Sequence, residues 1–381
     1  MAKKAYIGVD GVARKIKKGY LGIDGVARKI KKAYIGIGGV ARPCWSSREL
    51  VYYGAITPLD NHKANHKATT VGKYAMFGGG TSGLMNFIRN VDAYDTSLTH
   101  SSPGTLSKVL QDYGAATAGN YAVFAGGGTG YIDNVEAVST SFTISTPEVL
   151  SQKRKYIGAT SVGNYALFAG GEKSSTSQCK DVDAYNTSLT HSIPTNLPYQ
   201  RDNIAATTLG NYALFAGGYA FTLKRDYPDV DVYDTSLTHS AASDLSVARY
   251  KITATTVGNY ALFAGGTSDS ATCFDTVDVY NASLTHSVAT PLSIARESAG
   301  GTSVGGYAIF AGGYDTNDIV NNGLFSVVDV YDQSLTRTTG TPLSIGRSPA
   351  GATVGNYALF AGGKSDVMNG SNVVDAYTFL E

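Results

Sequence analysis

The chain has only three cysteines, Cys44, Cys179 and Cys273, widely spaced among 381 residues and without CxxC or Cys/His ligand spacing. Neither a disulfide framework nor a zinc site is expected. Charge is sparse, at 16% of residues with a formal net charge of +1, and proline is limited to 10 positions. Such a composition does not match a disordered or collagen-like chain. Long apolar runs are missing too, since stretches such as Tyr165 to Gly171 are among the longest. No helical membrane span is expected. The opening residues MAKKAYIGVD carry a glycine, an aspartate and lysines where a signal peptide needs its apolar core, so synthesis in the cytoplasm without Sec export is expected.

What the chain has in quantity is glycine, 45 residues, and tyrosine, 26 residues, against one tryptophan and four methionines. That balance points to an all-β chain of short strands joined by turns. The near-zero net charge hides an imbalance. Residues 1–45 hold 11 lysines and arginines against two aspartates, a net of +9, leaving a net of −8 for the remainder. The first region repeats K-K-[AG]-Y-[IL]-G-[VI]-[DG]-G-V-A-R three times, with Tyr6, Tyr20 and Tyr34 spaced by 14 residues. Each copy reads as a β-hairpin turning at Asp10-Gly11, Asp24-Gly25 or Gly38-Gly39, and the three together as a small antiparallel meander. With one thin apolar face, a sheet of that size is expected to dock or to oligomerise. The candidate docking residues are Tyr6, Arg14, Lys15, Lys17, Tyr20, Arg28, Lys29, Lys31 and Tyr34.

From Leu50 onward a second repeat fills the chain. Seven runs of the type YALFAGG begin at Tyr74, Tyr121, Tyr165, Tyr212, Tyr260, Tyr307 and Tyr357, at intervals of 44 to 50 residues. That period fits a four-stranded propeller blade. Within each unit, strand a precedes Val-Gly-Asn, strand b is the YALFAGG run, strand c is VDxY and strand d follows SLTHS. The last unit ends at VVDAYTFLE without a strand d, whereas VYYGAITPLD, just after the basic region, matches the strand-d segment THSVATPLSIAR. The expectation is a seven-bladed ring closed by residues around Val51 to Leu59, with Tyr53 opposite His286 and Leu59 opposite Leu292. The domains are then 1–45, a basic arm, and 46–381, the propeller.

Paired glycine after a hydrophobic strand, V-D-x-Y-D, and a loop arginine as in Leu245-Ser246-Val247-Ala248-Arg249 resemble kelch-repeat propellers over about Leu50 to Glu381. The tryptophan usual in kelch strand d is replaced here by small or polar residues. The DGVARK-type repeats of the arm resemble N-terminal segments of phage and prophage proteins of Gram-positive bacteria. Together these resemblances imply a virion accessory protein of the tail or baseplate, whose arm binds other virion proteins and whose propeller faces the host. The alternative is a secreted or surface carbohydrate-binding or processing propeller.

In alternating strands, a-b and c-d turns share one face and b-c and d-a connections share the other. The b-c loops vary from 7 residues in the second unit to 14 in the sixth, whereas the a-b and c-d turns are nearly constant. The arm is therefore expected to leave the uniform face. Aromatic residues on the variable loops, Phe87, Tyr131, Tyr219, Phe221, Tyr227, Phe274, Tyr314 and Phe325, are the candidate recognition set, suited to a host-surface glycan or protein. Tolerated loop variation is the competing account.

Catalytic signals are weak. His62 and His66 have i, i+4 spacing but lack the glutamate of a HExxH site, Gly362 to Ser365 reads GGKS without the preceding glycine of a phosphate loop, and GGGTG at Gly126 has no helix after it. No enzyme activity, catalytic residue, metal or other cofactor is expected. The acidic residue of VDxY recurs in all seven units and a basic residue opens strand a in six, so structural pairing is expected rather than a cation ring. His100, His191, His239 and His286 share one repeat position, filled elsewhere by Ile144 and Arg337, and a structural role is expected. Lysine and tyrosine in the arm would also suit nucleic acid, the less favoured partner.

Overall fold

The computed structural model describes residues 6–9, 12–15, 19–23, 26–30, 32–37, 40–46, 49–83, 86–318, 322–365 and 370–380. It divides into two compact units, 1–51 with 379–381 and 52–378. In the first unit each 14-residue repeat forms a hairpin: Tyr6–Val9 pairs with Val12–Lys15, Gly19–Ile23 with Val26–Ile30, and Lys32–Ile37 with Val40–Ser46. The innermost pairs, Val9 with Val12, Ile23 with Val26 and Ile37 with Val40, flank the two-residue turns that the sequence implies. Those turn residues, and Lys17 and Lys31, lie outside the described residues. Among the described residues the hairpins are three separate two-stranded sheets, not the single meander expected. Gly8, Gly22 and Gly36 inside the strands leave little side-chain surface with which to select a neighbouring strand.

The second unit is a seven-bladed β-propeller of four-stranded antiparallel sheets. Blade five shows the pattern. Strand a, Thr253–Val257, pairs with b, Tyr260–Ala264, then c, Val277–Asn281, then d, His286–Val288. Each strand a lies beside that of the next blade, and the seventh, Ser348–Val354, beside the first, Lys67–Val71. At the next-to-last position of this strand every blade carries a hydroxyl: Thr70, Thr117, Ser161, Thr208, Thr256, Ser303 and Thr353. Several of them stitch neighbouring blades together, as where Thr117 donates to the Thr70 carbonyl at 2.7 Å and Thr353 to that of Ser303 at 2.5 Å. The glycine pair after strand b is required by crowding. Gly217 sits at φ +68, and a Cβ there would meet the carbonyl oxygen of Arg249, at the start of the next blade, at 2.5 Å.

The seventh blade is closed by the segment that precedes the first. Its strands are ordered Ser348–Val354, Tyr357–Lys364, Val374–Leu380 and Glu49–Ala55. Ile56 N–H donates to the Val374 carbonyl and Leu59 N–H to that of Asn372, both at 2.9 Å. One detail differs from the sequence reading. Tyr52, not Tyr53, takes the place of the strand-d histidine, packing 5.2 Å from Tyr377 and donating to Asp375 at 2.6 Å. Leu59 lies seven positions after Tyr52, whereas Leu292 lies six after His286. The surplus is accommodated where Gly54 adopts φ +130, and Tyr53 is left exposed.

Each strand-c acid is the centre of a buried polar knot. The basic residue ahead of strand a reaches the acid of its own blade: Lys63 to Asp92 at 2.6 Å, Arg154 to Asp183 at 2.5 Å, Arg249 to Asp278 at 2.7 Å, Arg296 to Asp329 at 2.9 Å, Arg347 to Asp375 at 2.8 Å, and Arg201 to Asp231. The strand-d residue supplies a second partner, His100, His191, His239, His286, Arg337 or Tyr52. Backbone N–H groups supply a third, from Asp60 in the first blade and from a serine in five others. Burial pushes the Asp278 carboxyl up, but Arg249 and the bonds from Ser246 and His286 outweigh it and hold the group below the usual carboxylate range. Blade two departs from the pattern. Leu110 stands where the cation would be, and Glu136 instead accepts from the backbone and side chain of Ser107, the Lys108 N–H and the Asn134 amide. The periodic acids and histidines are thus committed to the fold.

Candidate functional site

The segment from the knot cation to strand a turns sharply at the rim of the central channel. Two residues after the cation, six blades hold a non-glycine residue in the left-handed region: Asn65 (φ 54), Asp112 (φ 54), Tyr156 (φ 55), Asn203 (φ 50), Lys251 (φ 52) and Ser298 (φ 53). This turn lets the backbones bond head to tail around the rim. Asp112 N–H donates to the Asn65 carbonyl, Tyr156 to Asp112, Asn203 to Tyr156, Lys251 to Asn203 and Ser298 to Lys251. Blade seven has Pro349 there, which offers no N–H. Inside the rim lies a cavity of about 560 Å³, walled by small strand-a residues such as Ala115, Ala159 and Ala206 and bordered by Lys67, Asp112, Tyr156, Lys251, Glu297 and Tyr314.

Charge at the mouth is mixed. Lys251 Nζ is 2.9 Å from Glu297 Oε1, and Lys364 Nζ is 4.3 Å from the centre of the Tyr314 ring. Burial pushes the Asp112 carboxyl up, opposed by Lys67. Lys67 is reached by solvent through the mouth, yet enclosure by the ring lowers its ammonium, opposed by Asp112. Asp202, next to Asn203, is buried and pushed up to about 6, because the bonds from Asn203 and Gln178 only partly offset desolvation. Asp202 therefore penalises the fold progressively as pH rises from about 4 through 6. Asp202→Asn should stabilise the protein by about 1–3 kcal/mol at pH 7.5, a gain that vanishes below about pH 4 in thermal melts. An equal effect at both pH values would show that Asp202 is not charged at a cost.

The variable loops adjoin this mouth through isolated bridges such as Asp202 with Tyr219 and Glu297 with Tyr314. The eight loop aromatics divide into three groups. Phe87 and Phe221 are exposed, Phe221 by 53%. Tyr131, Phe274 and Tyr314 are half-buried, and Tyr131 donates to Glu172 of the next blade at 2.6 Å. Tyr219, Tyr227 and Phe325 are buried, contrary to their expected display. Tyr219 stacks 5.1 Å from Tyr250 and donates to Asp269, while Tyr227 lies under the Arg225 guanidinium at 4.8 Å. These loops fold back against their neighbours, so the three rings serve packing. Sequence reasoning missed Leu223, exposed by 58%, and the half-exposed Tyr199. Phe221 and Leu223 form a 3-10 turn at the tip of the blade-four loop, between the short strands Tyr219–Ala220 and Arg225–Asp226. The Thr222 hydroxyl donates to the Thr176 carbonyl on the blade-three loop at 2.5 Å.

His62 and His66 do not converge. The former bonds the Gly370 carbonyl through Nδ1 at 3.0 Å, and the latter is buried beside Phe77, with burial and then Lys63 lowering it to about 3. Burial also raises the thiols of Cys179 to about 11 and Cys273 to about 12.

No family model matches the chain, and no curated protein matches it. Its fold does have counterparts. Among 610 solved chains similar to it is one described as "Structure of YjhT", with a TM-score of 0.56 and 14% identity, covering 71% of this chain and 97% of that one. At that identity the likeness is one of fold alone.

Proposed function

We propose that the protein is a non-enzymatic accessory component of a phage tail or baseplate, in which the hairpin arm docks onto other virion proteins and the propeller presents its loop face to a host-surface glycan or protein. The observation that carries the recognition half is the blade-four loop tip. Phe221 and Leu223 stand exposed on a turn braced by the blade-three loop, a costly arrangement for apolar side chains without a partner. The constancy of the knots elsewhere supports the same division, since the periodic acids and histidines are occupied in holding the blades. The arm half is supported by its net charge of +9 and by its repeats, which resemble phage segments. The experiment is adsorption of particles carrying Phe221→Ser with Leu223→Ser. Adsorption should fall at least 10-fold with particle incorporation retained, and unchanged adsorption would overturn the recognition role.

A further inference from the structure

We infer that a divalent metal of the zinc type binds where the closing segment meets blade one, held by the outward nitrogen of His100 and the carboxylate of Asp60. The inference goes beyond the recognition reading and is independent of it. Ligand atoms of Asp60, Asp92 and His100 lie within 4.8 Å of one another. Asp92 already has its partners: Oδ1 accepts from the Asp60 N–H at 2.9 Å and stands 2.8 Å from His100 Nε2, while Oδ2 takes Lys63 at 2.6 Å and the Asn90 amide at 3.1 Å. A carboxylate on one nitrogen of a neutral imidazole draws the proton to that nitrogen and leaves the lone pair on the other. In His100 the lone pair is therefore on Nδ1.

That nitrogen faces Asp60. Asp60 Oδ1 is 3.9 Å away, too far for a hydrogen bond, and two acceptors then stand opposite each other with no proton between them. A cation in the gap satisfies both. Two ligand atoms at about 2.0–2.2 Å from one zinc lie about 3.4 Å apart at a tetrahedral angle and about 4 Å apart at a wide one. A small swing of the Asp60 side chain, which is 42% exposed, completes the pair and leaves the solvent side of the metal to water. The other Asp60 oxygen accepts from the Ser102 hydroxyl, which steadies the carboxylate beside the histidine. Asp92 behind His100 is the orienting acid that a metal-bound imidazole needs.

Blade one departs from its fellows at this place. In five other blades a serine stands where Asp60 does, and in four of them its hydroxyl bonds the strand-c acid. Aspartate cannot donate that bond, so blade one exchanges it for a second carboxylate next to the histidine. Blade three has a partial copy, with Glu148 Oε1 3.7 Å from His191 Nδ1, but the Glu148 side chain is 71% exposed. Asp60 is tethered instead, through its N–H to Asp92 and through its side chain to Ser102. An imidazole beside a carboxylate suits zinc, whereas calcium takes oxygen ligands alone. The position gives the metal a task. Leu59 N–H bonds blade seven and Asp60 N–H bonds blade one, so a metal between Asp60 and His100 locks the closing segment to the first blade.

The test is isothermal titration calorimetry on the full chain, stripped of metal with EDTA, using zinc chloride and calcium chloride in turn. Zinc should bind and, at about a hundredfold excess over its dissociation constant, raise the melting temperature by roughly 3–5 °C. Calcium should do neither. Asp60→Ser and His100→Arg each install the residue that another blade uses at the same place, serine as at Ser293 and arginine as at Arg337. Both should keep the melting temperature of the metal-free chain, weaken zinc binding at least 10-fold and abolish the thermal shift, while Glu148→Gln should leave zinc binding unchanged. Absence of zinc binding, equal binding of calcium, or wild-type zinc binding by both Asp60→Ser and His100→Arg would overturn the site. None of these results bears on adsorption by the Phe221 and Leu223 variant.

Discussion

A chain beginning at residue 60 should melt about 7–12 °C below one beginning at residue 46, whereas the latter should retain the stability of the ring. The difference is the strand Glu49–Ala55 and the segment that anchors it. Leu59 is 1% exposed, and its removal forfeits about 2–3 kcal/mol of burial. The bonds from Ile56 and Leu59 to the last blade contribute about 1 kcal/mol each. Loss of Tyr52 leaves Asp375 with Arg347 and Ser344 alone, at a cost of a further 1–3 kcal/mol or so. The sum is on the order of 5–8 kcal/mol, which for a chain of this size corresponds to a shift of roughly 7–12 °C. Differential scanning calorimetry of the two chains measures it.

Arg249→Met should cost about 3–5 kcal/mol, the largest effect expected of a single substitution. The guanidinium donates to the carbonyls of Gly265 at 2.7 Å, Val247 at 2.9 Å and Phe263 at 3.2 Å, besides Asp278. Methionine keeps much of the volume but strands a carboxylate that is fully buried. The double variant Arg249→Met with Asp278→Asn should recover a large part of the loss, since it removes the stranded charge. Blade two supports that expectation, because Glu136 persists beside Leu110 when four donors surround it. Urea denaturation of the single and double variants measures the coupling. A double variant no more stable than Arg249→Met would mean that the carbonyl bonds, not the charge pair, carry the contribution.

The ring, its seven blades and the origin of its closing strand were legible because each blade repeats the same side-chain tasks at the same spacing. A period of about 47 residues and a blade lacking one strand left little freedom. The acid knots were legible for the same reason: a cation and an acid recurring in phase must meet. Register in the closing strand was not, because the sequence shows the extra residue between Tyr52 and Leu59 but not where the chain absorbs it. The rim was hidden as well. Asn65, Asp112, Tyr156, Asn203, Lys251 and Ser298 share a backbone state and no side-chain chemistry, so repeat matching passes over them. Asparagine or aspartate at three of the six was the available signal. Tyr227 is covered by Arg225 from the short strand just before it and by Tyr199 and Arg201 from farther away in the chain, contacts that spacing alone does not encode.

Hydrogen exchange at four amides tests the closure most directly. Ile56 and Leu59 donate to the seventh blade as Ala289 and Leu292 donate to the fifth, with acceptors at equivalent places, Val374 and Asn372 against Val277 and Asp275. If the segment behind the basic hairpins completes the ring, Ile56 and Leu59 should exchange within about tenfold of their blade-five counterparts. Exchange of Ile56 and Leu59 at the rate of a free peptide, with Ala289 and Leu292 still protected, would contradict it.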